Sequence, residues 1–161
     1  MAEKLLADLD ILAVVIELKT LTGMGNELFD GARETLETFR EAGIRMSVIA
    51  LENSGWVGHT LGHLGVGRYF SHIETVSGVN PFYGNIGSQD WRRAFDGLGF
   101  WPQNGAIVGY GLPGDIDGIG VKYHVRVLSS REMYSARKKR DERTINVESI
   151  SHVVTALLAT V

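Results

Sequence analysis

The stretch from residue 105 to residue 119 constrains the fold more than any other part of this sequence. It reads Gly-Ala-Ile-Val-Gly-Tyr-Gly-Leu-Pro-Gly-Asp-Ile-Asp-Gly-Ile, a short apolar run followed by glycines, a proline and two aspartates. In an α/β protein this pattern is typical of the carboxyl end of a parallel strand that opens onto a ligand-binding crevice. Gly109, Gly111 and Gly114 also satisfy G-x-G-x-x-G, the pattern of a dinucleotide-binding turn.

Apolar runs and amphipathic segments alternate along the rest of the chain. The apolar runs predict strands at 11–16, at 44–51, within 69–76, at 106–108 and at 123–128. The amphipathic segments predict helices at 27–42, 56–64, 91–98 and 147–158. Strand–helix–strand units cross over right-handed and give parallel neighbours. We therefore predict one α/β domain over residues 1–161, with a doubly wound parallel sheet in a three-layer α/β/α arrangement.

Composition restricts the classes of partner and location. The net charge of −3 argues against nucleic-acid binding. No apolar run approaches the roughly 20 residues of a membrane span, which argues against a membrane partner. The chain has no cysteine, so disulfides and thiolate metal sites are excluded. We expect a cytoplasmic location.

The order of these landmarks resembles the haloacid dehalogenase (HAD) superfamily of phosphatases and related hydrolases, in a Rossmann-like form without a large cap. The resemblance covers nearly the whole chain. It is carried by the segments 12–22 (Leu-Ala-Val-Val-Ile-Glu-Leu-Lys-Thr-Leu-Thr), 36–49, 91–102 and 108–116 (Val-Gly-Tyr-Gly-Leu-Pro-Gly-Asp-Ile). It disfavours the dinucleotide interpretation, because a Rossmann helix needs about three turns after the glycines. Only residues 115–121 are available for such a helix, and they include Gly118 and Gly120.

The resemblance implies an Asp-x-Asp motif after the first strand, with the first aspartate as nucleophile and the second as acid/base. Aligned without a gap, these two positions fall on Ile16 and Leu18; with one deletion they fall on Glu17 and Lys19. Glu17 and Lys19 are therefore the candidate catalytic residues. The Asp8-Leu9-Asp10 sequence looks like the motif but precedes the apolar strand.

The phosphate-binding positions that the resemblance implies also differ from the family pattern. The hydroxyl residue of the second motif falls at Ala50, although Asn53 or Ser54 could reach the same space. The family's lysine aligns near Asn85. In the fourth motif Tyr110 replaces the first aspartate.

Two acids remain as metal candidates, and several aromatic residues are predicted to line the crevice. Asp115 matches the second aspartate of the fourth motif, and Asp117 follows it. Trp56, Phe82, Tyr83 and Tyr110 belong to loops that should converge on the crevice, together with Asn53, Ser54, Asn85 and Asp115. We expect Tyr110 to occupy the former metal position, leaving a metal-free crevice that is plugged or open to an apolar ligand or a partner segment. His59 and His63, spaced i, i+4, form a weaker metal pattern with His72 or Glu74 as the nearest further ligands.

The missing aspartates and lysine predict a HAD-like pseudoenzyme that acts by binding, as a scaffold or regulatory subunit without a cofactor. One alternative is a divergent magnesium-dependent phosphohydrolase of a small phosphomonoester, in which Glu17, Asp115 and Asp117 act. Another is a small-molecule sensor that uses the emptied crevice. Phe100-Trp101-Pro102 follows a helix end and places aromatic surface there, so we also expect self-association or a protein partner.

Overall fold

A six-stranded sheet is the centre of the computed structural model, which describes residues 2–76, 85–110, 118–128 and 144–160. The strands are β1 (Ala13–Glu17), β2 (Arg45–Ala50), β3 (His72–Thr75), β4 (Gly105–Gly109), β5 (Tyr123–Val127) and β6 (Thr144–Val147). The helices are α1 (Ala2–Ala7), α2 (Ala32–Glu41), α3 (Ser54–His63), α4 (Ser88–Leu98) and α5 (Val153–Leu158).

All the strands of this sheet run parallel, in the order β3-β2-β1-β4-β5-β6. β1 lies at the centre, where Val15 pairs with Ser47 of β2 on one side and Ile107 of β4 on the other. Residues 13–16 of β1 are fully buried, as a continuous apolar run in a parallel sheet requires. The predicted doubly wound parallel sheet is confirmed.

Successive side chains of the central strands enter two separate cores. Val14 and Ile16 of β1 face a core built with α1, α2, α3 and α5. Ala13 and Val15 face a second core, to which α4 contributes Trp91, Ala94 and Phe95. Because side chains alternate along a strand, each face of the sheet receives every second residue. Helices on both faces confirm the three-layer arrangement.

Helix α2 begins later than its apolar periodicity predicts. The prediction placed its start at Glu27, but the helix starts at Ala32, after Gly31 in the left-handed region at φ 81°. The preceding loop is closed internally, since the Thr22 hydroxyl donates to the Glu27 carbonyl (2.6 Å) and accepts from the Gly25 N–H (3.0 Å). These bonds hold residues 22–27 in a loop that competes with helix formation.

The C-terminal segment also differs from its prediction. Val147, expected to start a helix, is the last residue of β6, where it pairs with Val127. The Leu128 N–H donates to the Val147 carbonyl (2.8 Å), which extends this pairing. The helical part is a 3-10 turn at Ile150–His152 followed by α5. The strand was missed because its four residues carry no strong apolar signal. Helix α1 was not predicted either.

The connection between β1 and α2 is short. Residues 18–31 are too few to form a separate folded unit, which agrees with the expected lack of a large cap. None of the helices in the described ranges is both long and apolar enough to cross a membrane.

The first residue of β4 provides a test of the packing between α4 and the sheet. A Cβ at Gly105 would lie 2.8 Å from Phe95 Cζ and 2.9 Å from the Ala13 carbonyl oxygen. The Ala13 backbone cannot move without disturbing β1. We expect Gly105→Ala to lower the free energy of unfolding by about 1–3 kcal/mol, as overpacked cores do.

Gly58→Ala is the matched control, measured in the same denaturant titrations. Gly58 is exposed within α3, and a Cβ there would meet nothing within 4 Å. Replacing a mid-helix glycine with alanine should raise the free energy of unfolding by about 0.5–1 kcal/mol. Equal effects of the two substitutions would contradict the close approach of Phe95 to β4.

Candidate functional site

The carboxyl ends of β1 and β4 form the centre of the candidate site. From β1 the chain continues to β2 on one side, whereas β4 leads to β5 on the other. In open α/β sheets ligands bind outside the strand ends where the order reverses in this way. The last strand residues here are Glu17 and Gly109.

Glu17 reaches across this boundary. Its Oε2 accepts a hydrogen bond of 2.8 Å from the backbone N–H of Tyr110. A Cβ at Gly109 would lie 2.9 Å from that same oxygen and 3.1 Å from the Trp91 ring. The carboxylate therefore lies over the β4 backbone, in space that only a glycine at position 109 leaves open. Trp91 is buried, and its indole N–H has no hydrogen-bond acceptor within the described ranges.

The surroundings of Glu17 disfavour its charge. Burial raises the pKa of Glu17, and the negative charge of Glu52 raises it further. The hydrogen bond from Tyr110 and the charge of Lys19 lower the pKa, but by less than burial raises it. Glu52 follows β2, and its Oε2 is buried without a hydrogen-bond partner in the part of the chain that is described. Two carboxylates thus influence the same crevice.

The residues after Glu17 turn at once into a 3-10 helix, Leu18–Thr20. Leu18 is buried in the first core, and Lys19 is half-buried. The Thr20 hydroxyl donates to the Glu17 carbonyl (2.7 Å), which ends the strand and fixes the turn. Thr20 is buried, so its hydroxyl is used in holding this turn.

The loop after β2 is used for capping. Asn53 precedes α3, and its Oδ1 accepts the Trp56 N–H at 2.9 Å. This bond satisfies one of the free N–H groups at the helix start. Ser54 is exposed in the first turn. The Trp56 side chain is 39% exposed, and its ring lies close to Gly25 in the loop before α2.

The Tyr110 backbone N–H bonds to Glu17, and Tyr110 also lines a neighbouring cavity of about 610 Å³. Burial raises the pKa of the Tyr110 phenol, and the Glu17 charge raises it further. The cavity lies at the carboxyl edge of the sheet. Its lining residues are Thr20, Phe29, Asp30, Tyr110, Val127, Leu128 and 148–151.

No protein-family model matches this chain, and no curated protein sequence matches it either. Solved structures do match. An uncharacterized protein from Listeria monocytogenes serotype 4b is similar with a TM-score of 0.68 and 18% identity, over 94% of this chain and 100% of that one. A HAD-superfamily hydrolase from Ehrlichia chaffeensis is similar with a TM-score of 0.59 and 15% identity, over 82% of this chain and 58% of that one.

A third match is the core domain of a candidate phosphoglycolate phosphatase from Streptococcus pneumoniae TIGR4. Its TM-score is 0.63 at 19% identity, over 90% of this chain and 93% of that one. The chain has a HAD-like fold. At these identities the likeness concerns the fold alone. The chain spans little more than half of the Ehrlichia hydrolase.

The residues at the candidate nucleophile positions lie in different surroundings. Ile16 is fully buried and Leu18 is 2% exposed, so neither faces a crevice. Glu17 is the last residue of β1 and lies at the HAD-like crevice, with Lys19 two residues later. Glu17 is therefore placed at the strand end and Ile16 inside the core, and the nucleophile motif stays a prediction. Asp8 and Asp10 lie in the turn between α1 and β1.

The remaining predicted residues lie in several separate parts of the structure. Ala50 is buried at the end of β2, and Asn85 is exposed shortly before α4. His59 and His63 are exposed on α3. His72 Nε2 and Glu74 Oε1 are 3.0 Å apart on β3. Within the described ranges no group of three or more histidines and acids could hold a metal ion. The predicted site residues Phe82, Tyr83, Asp115 and Asp117 lie outside the described residues.

Sequence reasoning missed three contributors to the site. Glu52 was treated as a loop residue, although it lies next to the second HAD motif. Trp91 and Phe29 were included only as members of predicted helices, at 91–98 and 27–42. The G-x-G pattern that begins at Gly109 was the one available signal, because it indicates that another group approaches the backbone closely.

The raised pKa of Glu17 gives a pH-dependent prediction. A carboxyl group whose pKa is higher in the folded protein than in the unfolded chain stabilises the fold while protonated, and this contribution is lost as pH rises through the folded-state pKa. Glu17→Gln keeps an acceptor for the Tyr110 N–H and cannot ionise. We expect the variant to be more stable than the wild type near neutral pH, with the difference shrinking towards acid pH.

The measurement is a series of thermal melts of both proteins from about pH 4 to about pH 8. For a chain of this size, 1 kcal/mol corresponds to about 2–4 °C in melting temperature. Glu27→Gln is the control because Glu27 is exposed, and its curve should follow the wild type. A Glu17→Gln variant less stable than the wild type near neutral pH would show that the Glu17 charge is favourable.

Proposed function

We propose that this protein is a HAD-like pseudoenzyme that acts by binding, as a scaffold or regulatory subunit. The observation that carries the proposal is the engagement of Glu17 at the end of β1. Its Oε2 accepts a hydrogen bond from the Tyr110 N–H, and its burial disfavours the ionised form that would attack a substrate. A single domain over residues 1–161 is part of the proposal.

A glutamate at this position is a poor replacement for a nucleophilic aspartate. Its extra methylene displaces the carboxylate by about 1 Å, and a misplacement of that size can cost about a hundredfold in rate. The raised pKa of Glu17 also lowers the fraction of the nucleophilic, ionised form near neutral pH.

The charges around the crevice disfavour a phosphate group. Glu52 adds a second carboxylate that acts on Glu17, and like charges repel an anionic substrate, although the positive charge of Lys19 acts at the same place. In the described ranges Asn53 is used for capping and the Thr20 hydroxyl bonds to a backbone carbonyl. The Thr20 hydroxyl hydrogen is therefore not available to phosphoryl oxygens, and the Asn53 Oδ1 is committed to the helix start.

The alternative is a divergent magnesium-dependent phosphohydrolase that uses Glu17, Asp115 and Asp117. It is favoured by the position of Glu17 at the point where the strand order reverses. Magnesium requires several oxygen ligands in near-octahedral geometry. The described residues do not assemble such a set, and Lys19 stands in place of the second motif aspartate.

Phosphatase assays with magnesium separate the two functions. We expect no magnesium-dependent hydrolysis of a panel of small phosphomonoesters, because the predicted nucleophile is engaged and faces a second carboxylate. Glu17→Ala and Asp115→Ala, purified identically, control for contaminating phosphatases and should give the same background as the wild type. Turnover by the wild type that either substitution abolishes would establish the alternative.

We also propose that the protein associates with itself or with a protein partner. Trp101 follows α4 and is 74% exposed, while Phe100 next to it packs against the second core. Exposed aromatic side chains are enriched at protein interfaces. Sedimentation velocity should therefore show an oligomer or a partner complex that Trp101→Ser weakens. A strictly monomeric protein from which pull-down recovers no partner would contradict this proposal.

A further inference from the structure

The cavity beside Tyr110 has the dimensions of a small-molecule site. Its volume of about 610 Å³ lies within the range of about 300–1,000 Å³ usual for ligand pockets. Its walls come from the loop before α2, the ends of β4 and β5, and the segment after β6. No motif of the HAD resemblance accounts for this combination.

Two aromatic rings at this cavity are partly exposed. Phe29 is 41% exposed and Tyr110 is 39% exposed, although their neighbours in the cavity include the buried side chains of Val127, Leu128 and Ile150. Both aromatic residues are held through their backbones. The Phe29 N–H donates to the Leu21 carbonyl at 2.7 Å, and the Tyr110 N–H donates to Glu17. The backbone thus anchors two partly exposed aromatic residues that line one cavity.

The ionisable side chains of the cavity wall are acidic apart from the Tyr110 phenol. Asp30 and Glu148 line the cavity, and no lysine, arginine or histidine does so among the residues that the structure describes. Neither carboxylate has an ion pair or a side-chain hydrogen bond within those residues. The negative charge of Glu17 also acts on the Tyr110 phenol. The amino-terminal end of α2 favours negative charge, and Asp30 supplies one beside it.

We propose that this cavity binds an organic cation, a small molecule with an ammonium or guanidinium group and an apolar body. Aromatic faces attract cations, and the two carboxylates supply opposite charge. The apolar body would contact Val127, Leu128 and Ile150. The inference rests on the proposed binding function and names its ligand class. It assigns to the site a charge preference opposite to that of a phosphate-binding crevice.

The test compares two probes of similar shape and opposite charge, phenethylamine and 3-phenylpropionate, with orthophosphate as a third probe. Chemical-shift titrations of the full chain report binding. We expect phenethylamine to shift resonances of Tyr110 and Phe29 saturably, and to bind more weakly as salt is added. The two anions should cause no saturable shift there.

Variants test which carboxylates contribute to phenethylamine binding. Asp30→Asn combined with Glu148→Gln should weaken phenethylamine binding about tenfold, because each exposed ion pair contributes about 2- to 5-fold. The control is Glu27→Gln combined with Glu34→Gln, which removes the same charge from exposed residues that do not line this cavity. Its affinity for phenethylamine should match the wild type. Tyr110→Leu, which keeps the N–H to Glu17, should weaken binding about 2- to 5-fold through the lost ring.

Three outcomes would overturn the proposal: preferred binding of either anion, no saturable binding of phenethylamine, or equal weakening by both double variants. None of them depends on hydrolysis, so they are distinct from a failure of the proposed function. Magnesium-dependent phosphatase activity would refute the pseudoenzyme proposal while leaving the cation measurement valid.

Discussion

The hydrogen bond between the Tyr110 N–H and the Glu17 carboxylate joins the carboxyl ends of the two central strands, and the candidate site depends on it. It exists because Gly109 has no side chain and leaves room for the carboxylate over β4. The same bond fixes where Tyr110 leaves the strand, and so the ring at the wall of the neighbouring cavity. This one contact therefore determines where the Glu17 carboxylate lies in the crevice and where Tyr110 lies at the adjoining cavity.

The charges at the carboxyl edge of the sheet form one pattern. Glu17 and Glu52 lie at the crevice, and Asp30 and Glu148 lie at the cavity. Solved structures with this fold include named hydrolases. In this chain the described residues place acids at the carboxyl edge of the sheet without a matching set of phosphate ligands. Burial makes the negatively charged form of Glu17 less favourable. The two carboxylates at the cavity are the reason that we propose a positively charged occupant there.

The central strands could be predicted from sequence because their signal is local. The apolar runs at 11–16 and 44–51 are long enough to indicate strands buried on both faces, and they are β1 and β2. The start of α2 could not be predicted, since the Thr22 hydroxyl closes a loop through contacts that periodicity does not register. The site was harder still. Glu17 and Tyr110 are 93 residues apart in sequence, and the cavity draws on five separate segments. The sequence could not tell whether Ile16 or Glu17 lies at the crevice, because that depends on the residue at which β1 ends.

The pairing of β1 has a consequence for how the chain is made. Ala13 pairs with Arg45 on one side, but its partner on the other side is Gly105, which is synthesised much later. Non-local pairing of this kind slows folding, because a long loop must close before the contact forms. An unpaired strand edge is also a template for association with other chains. During synthesis β1, whose residues 13–16 are fully buried in the finished fold, therefore keeps one open edge until β4 has emerged, and the growing chain is exposed to misassembly in that interval.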